Sequence, residues 1–115
     1  MSDSRPIPKI YYDQAFTLCY YSELLWQKSL VEGNGGNLSL KLDNNLFLTT
    51  PTMHSKSGLN ETDLVIVDSL GNQLYGDGHA TSELFAHLAI YKNNPEIGGV
   101  IHSHPPYTCS YAFSD

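Results

Sequence analysis

The spacing of hydrophobic positions predicts two helices. Between residue 11 and about residue 30, apolar side chains including Ala15, Leu18 and Leu25 recur at helical intervals, which predicts a long amphipathic helix packed on a sheet. A second apolar face lies between residues 84 and 90. It predicts a helix that Thr81 caps and that runs to about Asn93, just before a proline.

The segments between and after these helices have the pattern of strands. Residues 38–42 alternate between leucine and polar side chains, and a polar turn at 43–45 leads into the apolar run 46–49, so we expect a β-hairpin. A continuous apolar run within residues 63–68 predicts a buried strand, and residues 73–75 predict a short strand after a turn.

A further apolar run, residues 98–101, ends in His102 and His104, which two prolines follow. We interpret the run as a short buried strand, because the prolines cannot continue a hydrogen-bonded ladder. Residues i and i+2 of a strand point to the same face, so both histidines project together. Two imidazoles at one strand end are a common arrangement for binding a divalent metal. The alternative is two polar residues where a strand emerges into solvent.

Length and charge narrow the possible functions. The 115 residues suit one small domain, 41% of them are hydrophobic, and the formal net charge is −6. A negative chain argues against nucleic acid or an anionic membrane as a partner. Cys19 and Cys109 show no metal-ligand or redox spacing, and no apolar run is long enough to span a bilayer. We therefore expect a cytoplasmic protein. Residues 1–10 are mostly polar and contain two prolines, so we expect them to form a flexible arm.

Two more segments could bind an anionic group. Thr81, Ser82 and Glu83 precede the second helix, where free N–H groups and hydroxyls favour an anion, although simple helix capping is the alternative. The glycine-rich turn that ends in Gly36 and Asn37 could let backbone N–H groups approach a phosphate, although such turns also occur without a ligand. His87 shares a helix face with Glu83, and we interpret it as a hydrogen-bonded structural residue rather than a metal ligand.

These segments together resemble the class II aldolase/adducin family, which includes sugar-phosphate aldolases, ribulose-phosphate 4-epimerases and related dehydratases. The similarity extends from about Tyr11 to the end of the chain. The segments that carry it occur in family order: Gly36-Asn37-Leu38-Ser39, Thr50-Pro51-Thr52, Thr81-Ser82-Glu83 and His102-Ser103-His104-Pro105, with Tyr107.

The resemblance implies roles for individual residues. His102 and His104 match the family's paired zinc ligands, and Glu83 matches a carboxylate that acts as a metal ligand or as the catalytic acid/base. The positions that match the family's phosphate cradle are Gly36, Asn37, Thr52, Thr81 and Ser82. Met53 also falls among the substrate-binding positions, but the family usually has glycine there, so its side chain would partly fill the phosphate pocket.

The resemblance also implies an α/β protein with three α/β/α layers around a mixed, mostly antiparallel sheet. The implied activity is that of a lyase or epimerase that acts on a ketose phosphate through a metal-stabilised enediolate, with Zn²⁺ or another divalent metal. Family members are homo-oligomers, tetramers among them. Family domains run to about two hundred residues, and a third histidine ligand has no counterpart here. We therefore expect residues 11–115 to be the N-terminal part of such a domain, truncated and inactive alone.

Two alternatives stay open from the sequence. A non-catalytic binding or scaffold domain, like the adducin branch, would need no complete metal site. The order Glu83, His102, His104 and Asp115 also resembles the JAMM metalloprotease signature, but Ala112 stands where that signature has serine. The JAMM interpretation leaves the glycine-rich turn and the threonine segments unexplained.

Overall fold

A computed structural model of the chain describes residues 5–31, 35–43, 45–52 and 55–103. Its helices are α1 (Tyr12–Gln27) and α2 (Leu84–Asn93), with short 3-10 turns at Lys9–Tyr11 and Glu61–Asp63. Its strands are β1 (Asn37–Lys41), β2 (Leu46–Thr49), β3 (Val65–Asp68), β4 (Gln73–Tyr75) and β5 (Gly99–His102). Among the described residues, no helix has the length and hydrophobicity needed to span a membrane.

The five strands form one sheet in the order β4-β3-β2-β1-β5. Every neighbouring pair of these described strands is antiparallel, in line with the mostly antiparallel sheet that we expected. The predicted hairpin is β1 and β2, where Leu40 pairs with Leu48. The apolar run within residues 63–68 forms β3, whose three valine and isoleucine residues are fully buried.

Each face of the sheet packs against one helix. Alternate residues of a strand point to opposite faces, so Leu48 packs on the α1 side whereas its neighbour Phe47 packs on the α2 side. The α1 layer includes Ala15 and Leu18, and the α2 layer includes Leu84, Leu88 and Tyr91. The sequence prediction of three α/β/α layers is confirmed.

Helix α2 begins at Leu84, and the prediction that Thr81 starts it is wrong. The N–H of Thr81 donates to the carbonyl of Thr50 at 3.1 Å, so Thr81 is bound to the loop after β2. Its own carbonyl then accepts from the N–H of Leu84 at 3.1 Å, and its Oγ1 accepts from the N–H of Glu83 at 3.3 Å. These bonds make residues 81–83 a turn, and Glu83 becomes the residue that precedes the helix.

Strand β5 lies at an edge of the described sheet, and the prediction of a buried strand is wrong. It pairs with β1, and the side chain of Ile101 is 55% exposed. Hydrophobicity alone predicted the strand correctly but could not show what covers it.

Part of the expected N-terminal arm contacts the body of the domain. Ile7 is buried in the core beside Tyr11, and the carbonyl of Arg5 accepts a 2.8 Å hydrogen bond from the N–H of Gly76. Residues 5–8 therefore contribute to the packing on the α1 side.

Candidate functional site

The start of β1 and the end of β5 meet at one end of the sheet. Asn37 is the cross-strand partner of His102. Gly36, just before it, has φ +77°, and a Cβ atom there would lie 2.4 Å from Cγ1 of Val31 and 3.0 Å from the carbonyl oxygen of His102. Only glycine permits both this backbone conformation and this close approach. The glycine therefore sets how closely the turn packs against the end of β5.

The loop after β2 joins this end of the sheet to the turn before α2. Pro51 forms an antiparallel bridge with Ala80, and the N–H of Thr52 donates to the carbonyl of His79 at 2.8 Å. Thr50 also accepts at Oγ1 from the N–H of Leu38 in β1, at 3.2 Å. Three segments that are distant in sequence are thus hydrogen-bonded to one another here.

The candidate acid/base and a candidate metal ligand come together at this end. Oε1 of Glu83 lies 3.9 Å from Nδ1 of His102, and the two side chains are 47% and 39% exposed. Glu83 reaches this position from the turn before α2, and His102 from the last residue of β5. Both groups remain accessible to a ligand from solvent.

The predicted phosphate-binding residues lie on the same connected segments. Asn37 and Thr81 are buried, Gly36 and Thr52 are half-buried, and Ser82 is exposed. Two further predicted site residues, Met53 and His104, lie outside the described residues, as do Ala112 and Asp115 of the alternative interpretation.

A buried chain of hydrogen-bonded polar side chains lies behind Asn37, between α2 and β1. Nε2 of His87 is hydrogen-bonded to Oδ1 of Asn37. Its Nδ1 lies 2.6 Å from Oγ of Ser39, and that oxygen lies 2.7 Å from Oη of Tyr91. A hydrogen-bonded His87 was expected from the sequence, whereas the roles of Ser39 and Tyr91 were not. The signal was available, because Asn37 and Ser39 share a strand face and His87 and Tyr91 share a helix face.

The environment of His87 keeps its imidazole neutral. Burial lowers its pKa, and the nearby His102 lowers the pKa further, while the carboxylate of Glu83 acts in the opposite direction. Burial also raises the pKa of the Tyr91 hydroxyl, which therefore stays protonated. Both groups can form only the hydrogen bonds of their neutral forms.

The donor atoms of Glu83 and His102 fit part of a metal shell. Two ligands of a tetrahedral zinc ion lie about 3.4 Å apart, close to the observed 3.9 Å between Oε1 and Nδ1. A carboxylate and an imidazole are both usual zinc ligands. Among the residues that the structure describes, no group of three or more His, Cys, Asp or Glu side chains could hold a metal ion. Glu83 and His102 thus supply two of the donor atoms that a metal site would need.

Comparison with known proteins shows which proteins this chain resembles. An L-fuculose phosphate aldolase from Methanococcus vannielii is 41% identical over 92 residues, which cover 80% of this chain and 49% of that protein. A 3-oxo-tetronate 4-phosphate decarboxylase from Haemophilus influenzae is 38% identical over 90 residues, 78% of this chain and 42% of that protein. The crystal structure of YgbL from Escherichia coli matches with a TM-score of 0.81 at 30% identity, over 87% of this chain and 48% of YgbL.

The chain thus spans about half the length of the curated relatives it matches. The family profile described as Class II Aldolase and Adducin N-terminal domain matches residues 16–115, which include every segment of the site. On this match, the chain belongs to the class II aldolase and adducin N-terminal domain family.

Proposed function

We propose that this chain carries the N-terminal part of a metal-dependent lyase or epimerase that acts on a small sugar phosphate. The observation that carries the proposal is the pair of Glu83 and His102, 3.9 Å apart, beside the turn of Gly36 and Asn37. A carboxylate next to a metal-binding imidazole combines a proton acceptor and a cation ligand in one place.

The residues that would hold the metal are His102 and Glu83, with His104 as a third candidate from the sequence. When bound, a divalent ion such as Zn²⁺ polarises a substrate oxygen and stabilises the negative charge that develops there. His102 would fix the position of the ion, because this residue is the last of β5 and that strand is hydrogen-bonded to β1.

Glu83 would move the proton. Its carboxylate precedes the first turn of α2, where the positive end of the helix dipole stabilises negative charge. Because the side chain is about half exposed, a carboxylate oxygen that is not bound to the cation can reach a substrate carbon or hydroxyl next to it. In this role the carboxylate accepts a proton from the substrate and later returns it.

The phosphate group would bind beside this pair. The candidate donors are the amide of Asn37, the hydroxyls of Thr52, Thr81 and Ser82, and the backbone at Gly36. Since the chain has a net charge of −6, an anionic substrate needs such local N–H and O–H donors rather than a general positive field.

The names of two relatives support the proposed substrate class. The two curated proteins are named for a fuculose phosphate and for an oxo-tetronate phosphate. Both substrates are small phosphorylated carbonyl compounds, yet one reaction is an aldol cleavage and the other a decarboxylation. We therefore propose the chemical class, a ketose phosphate or related acid, and leave the bond that breaks to experiment.

The test is turnover by the protein extended to the length of its relatives, assayed with a panel of ketose phosphates and added zinc. We expect turnover that falls by about 10²- to 10⁴-fold in Glu83→Gln, because general base catalysis contributes this factor. Glu96→Gln is the matched control, since Glu96 is an exposed glutamate of the turn after α2. Full activity of Glu83→Gln would contradict the proposal, and sugar-phosphate binding without turnover would favour the adducin-like alternative.

A further inference from the structure

The buried chain of Asn37, His87, Ser39 and Tyr91 is more than the packing of α2 on the sheet requires. All four side chains are at least 95% buried, and His87 is 2% exposed. Burying polar groups lowers stability unless each is hydrogen-bonded, so apolar residues would join the same two elements more simply. This buried polar chain therefore indicates a function in addition to packing α2 on the sheet.

The directions of the hydrogen bonds are fixed by chemistry. Oδ1 of Asn37 can only accept, so Nε2 of the neutral His87 carries the hydrogen and donates it. Nδ1 of the same ring must then accept, which requires Ser39 to donate its hydroxyl hydrogen. With that hydrogen used, the hydroxyl of Ser39 accepts from Tyr91. All three bonds run in one direction, from Tyr91 toward Asn37.

The end of this chain is a planar amide with a defined orientation. Because His87 occupies Oδ1 of Asn37, the nitrogen Nδ2 points away from His87 with two N–H donors. Asn37 directly follows Gly36 and is the cross-strand partner of His102. A rotated amide would present Oδ1 in place of these N–H donors, and an oxygen there would repel an anion.

We propose that His87 is a positioning residue that locks the amide of Asn37 with its N–H groups toward the phosphate of the substrate. Ser39, whose hydroxyl donates to Nδ1, fixes the tautomer of His87 that makes this possible. The ligand identity rests on the proposed function, whereas the tautomer and the amide orientation can be tested without it.

The first experiment is independent of any ligand. Long-range ¹H–¹⁵N NMR of the imidazole distinguishes a protonated from an unprotonated ring nitrogen. We expect His87 to be the neutral tautomer with hydrogen on Nε2. Hydrogen on Nδ1 would overturn the proposal, because His87 would then be unable to donate to Asn37.

The second experiment measures the affinity for inorganic phosphate in three variants of the chain. His87→Leu removes the donor, and we expect about tenfold weaker binding, as for the loss of one hydrogen bond that supports a charged group. His87→Gln can donate to Asn37 and accept from Ser39, so it should restore affinity to within about threefold of wild type. Tyr91→Phe perturbs the same buried chain but leaves the bond between His87 and Asn37 intact.

The pattern across the variants separates positioning from stability. We expect Tyr91→Phe to lower the unfolding midpoint while it leaves phosphate affinity within about threefold of wild type. If His87→Leu and Tyr91→Phe weaken phosphate binding in step with their loss of stability, the role is merely structural and the proposal is wrong. If wild type and His87→Leu bind phosphate equally well, the positioning role of His87 is wrong, whereas the phosphate site itself is kept. If wild type shows no saturable binding, the proposed phosphate site itself is wrong.

Discussion

At Gly36 the backbone adopts φ +77°, and the space for a side chain is already filled by Val31 and the carbonyl of His102. Gly58 has the same φ of +77°, but nothing lies within 4 Å of its missing Cβ. The two glycines thus share a conformation and differ only in their surroundings. They allow the effect of backbone strain to be separated from the effect of crowding.

We predict that Gly36→Ala destabilises the protein more than Gly58→Ala does. A left-handed conformation costs a residue other than glycine about 1 kcal/mol, and both variants share that term. Crowding at Gly36 adds about 1–3 kcal/mol, because the new methyl group must displace Val31. Urea unfolding of both variants measures the difference. Equal losses of stability would show that the close approach to β5 is not needed.

Single residues also show what the sequence could predict. His102 was identified as one of two histidines at a strand end, whereas the role of Glu83 came from the family resemblance. The structure places Oε1 of Glu83 3.9 Å from Nδ1 of His102. The chain that runs through Ser39 and Tyr91 was not predicted, because it depends on which face of α2 meets which face of β1. That pairing is a tertiary property, and neither element alone determines it.

At the scale of secondary-structure elements, the carboxylate of Glu23 connects α1 to the loop after β2. Glu23 accepts a 3.0 Å hydrogen bond from the N–H of Gly58 and further bonds from the hydroxyl of Ser57. The bond from Gly58 is the main reason that the pKa of Glu23 is lowered from 4.5. A lowered pKa means that the ionised form stabilises the folded state.

We predict that Glu23→Gln lowers the free energy of unfolding at neutral pH. The wild-type advantage is fully present above about pH 4.5 and is lost as the pH falls through the lower pKa of the folded state. Denaturant unfolding of wild type and variant between pH 7 and pH 3 measures this difference. Glu96→Gln is the matched control, because it removes the same charge from an exposed turn. A difference for Glu23→Gln that stays constant over this range would contradict the assignment.

The boundaries of elements were harder to predict than their existence. The apolar run of β3 and the hairpin of β1 and β2 follow directly from the sequence pattern. The start of α2 was misplaced because Thr81 is a favourable cap in isolation. In the fold, its N–H is bound to Thr50, and this long-range bond moves the helix start to Leu84.

At the scale of the whole molecule, the exposed edge at β5 is the main feature. An apolar groove of about 230 Å³ lies between α1 and this strand, and Tyr21, Leu38 and Ile101 are among the residues that line it. The described residues place no strand beyond β5. Exposed edges with apolar surface promote pairing with another chain.

We predict that the 115-residue chain self-associates through this edge. Ile101→Lys should increase the monomer fraction in sedimentation velocity, because a charged side chain on an edge strand opposes pairing. Leu70→Lys is the matched control, since Leu70 is 77% exposed but lies in the turn between β3 and β4. Equal effects of both variants would show that general charge, rather than the β5 edge, controls association.

The layered architecture was predictable for the whole molecule, but the covering of each strand was not. Hydrophobicity identified β5 as a strand, and only the sheet order shows that it stands at an edge. The residues matched in the curated relatives make up about half of each relative's length.

The central claim is that Glu83 and His102 bind one divalent cation. The most direct measurement is titration with Co²⁺, whose visible spectrum reports its coordination, in the 115-residue chain and in the protein extended to the length of its relatives. We predict weak binding by the short chain and tetrahedral-type absorption in the extended protein. Glu83→Gln and His102→Asn should each weaken this binding by about tenfold or more, whereas His79→Asn, at an exposed histidine, should leave it unchanged. Unaltered Co²⁺ spectra and affinities in both Glu83→Gln and His102→Asn would contradict the claim.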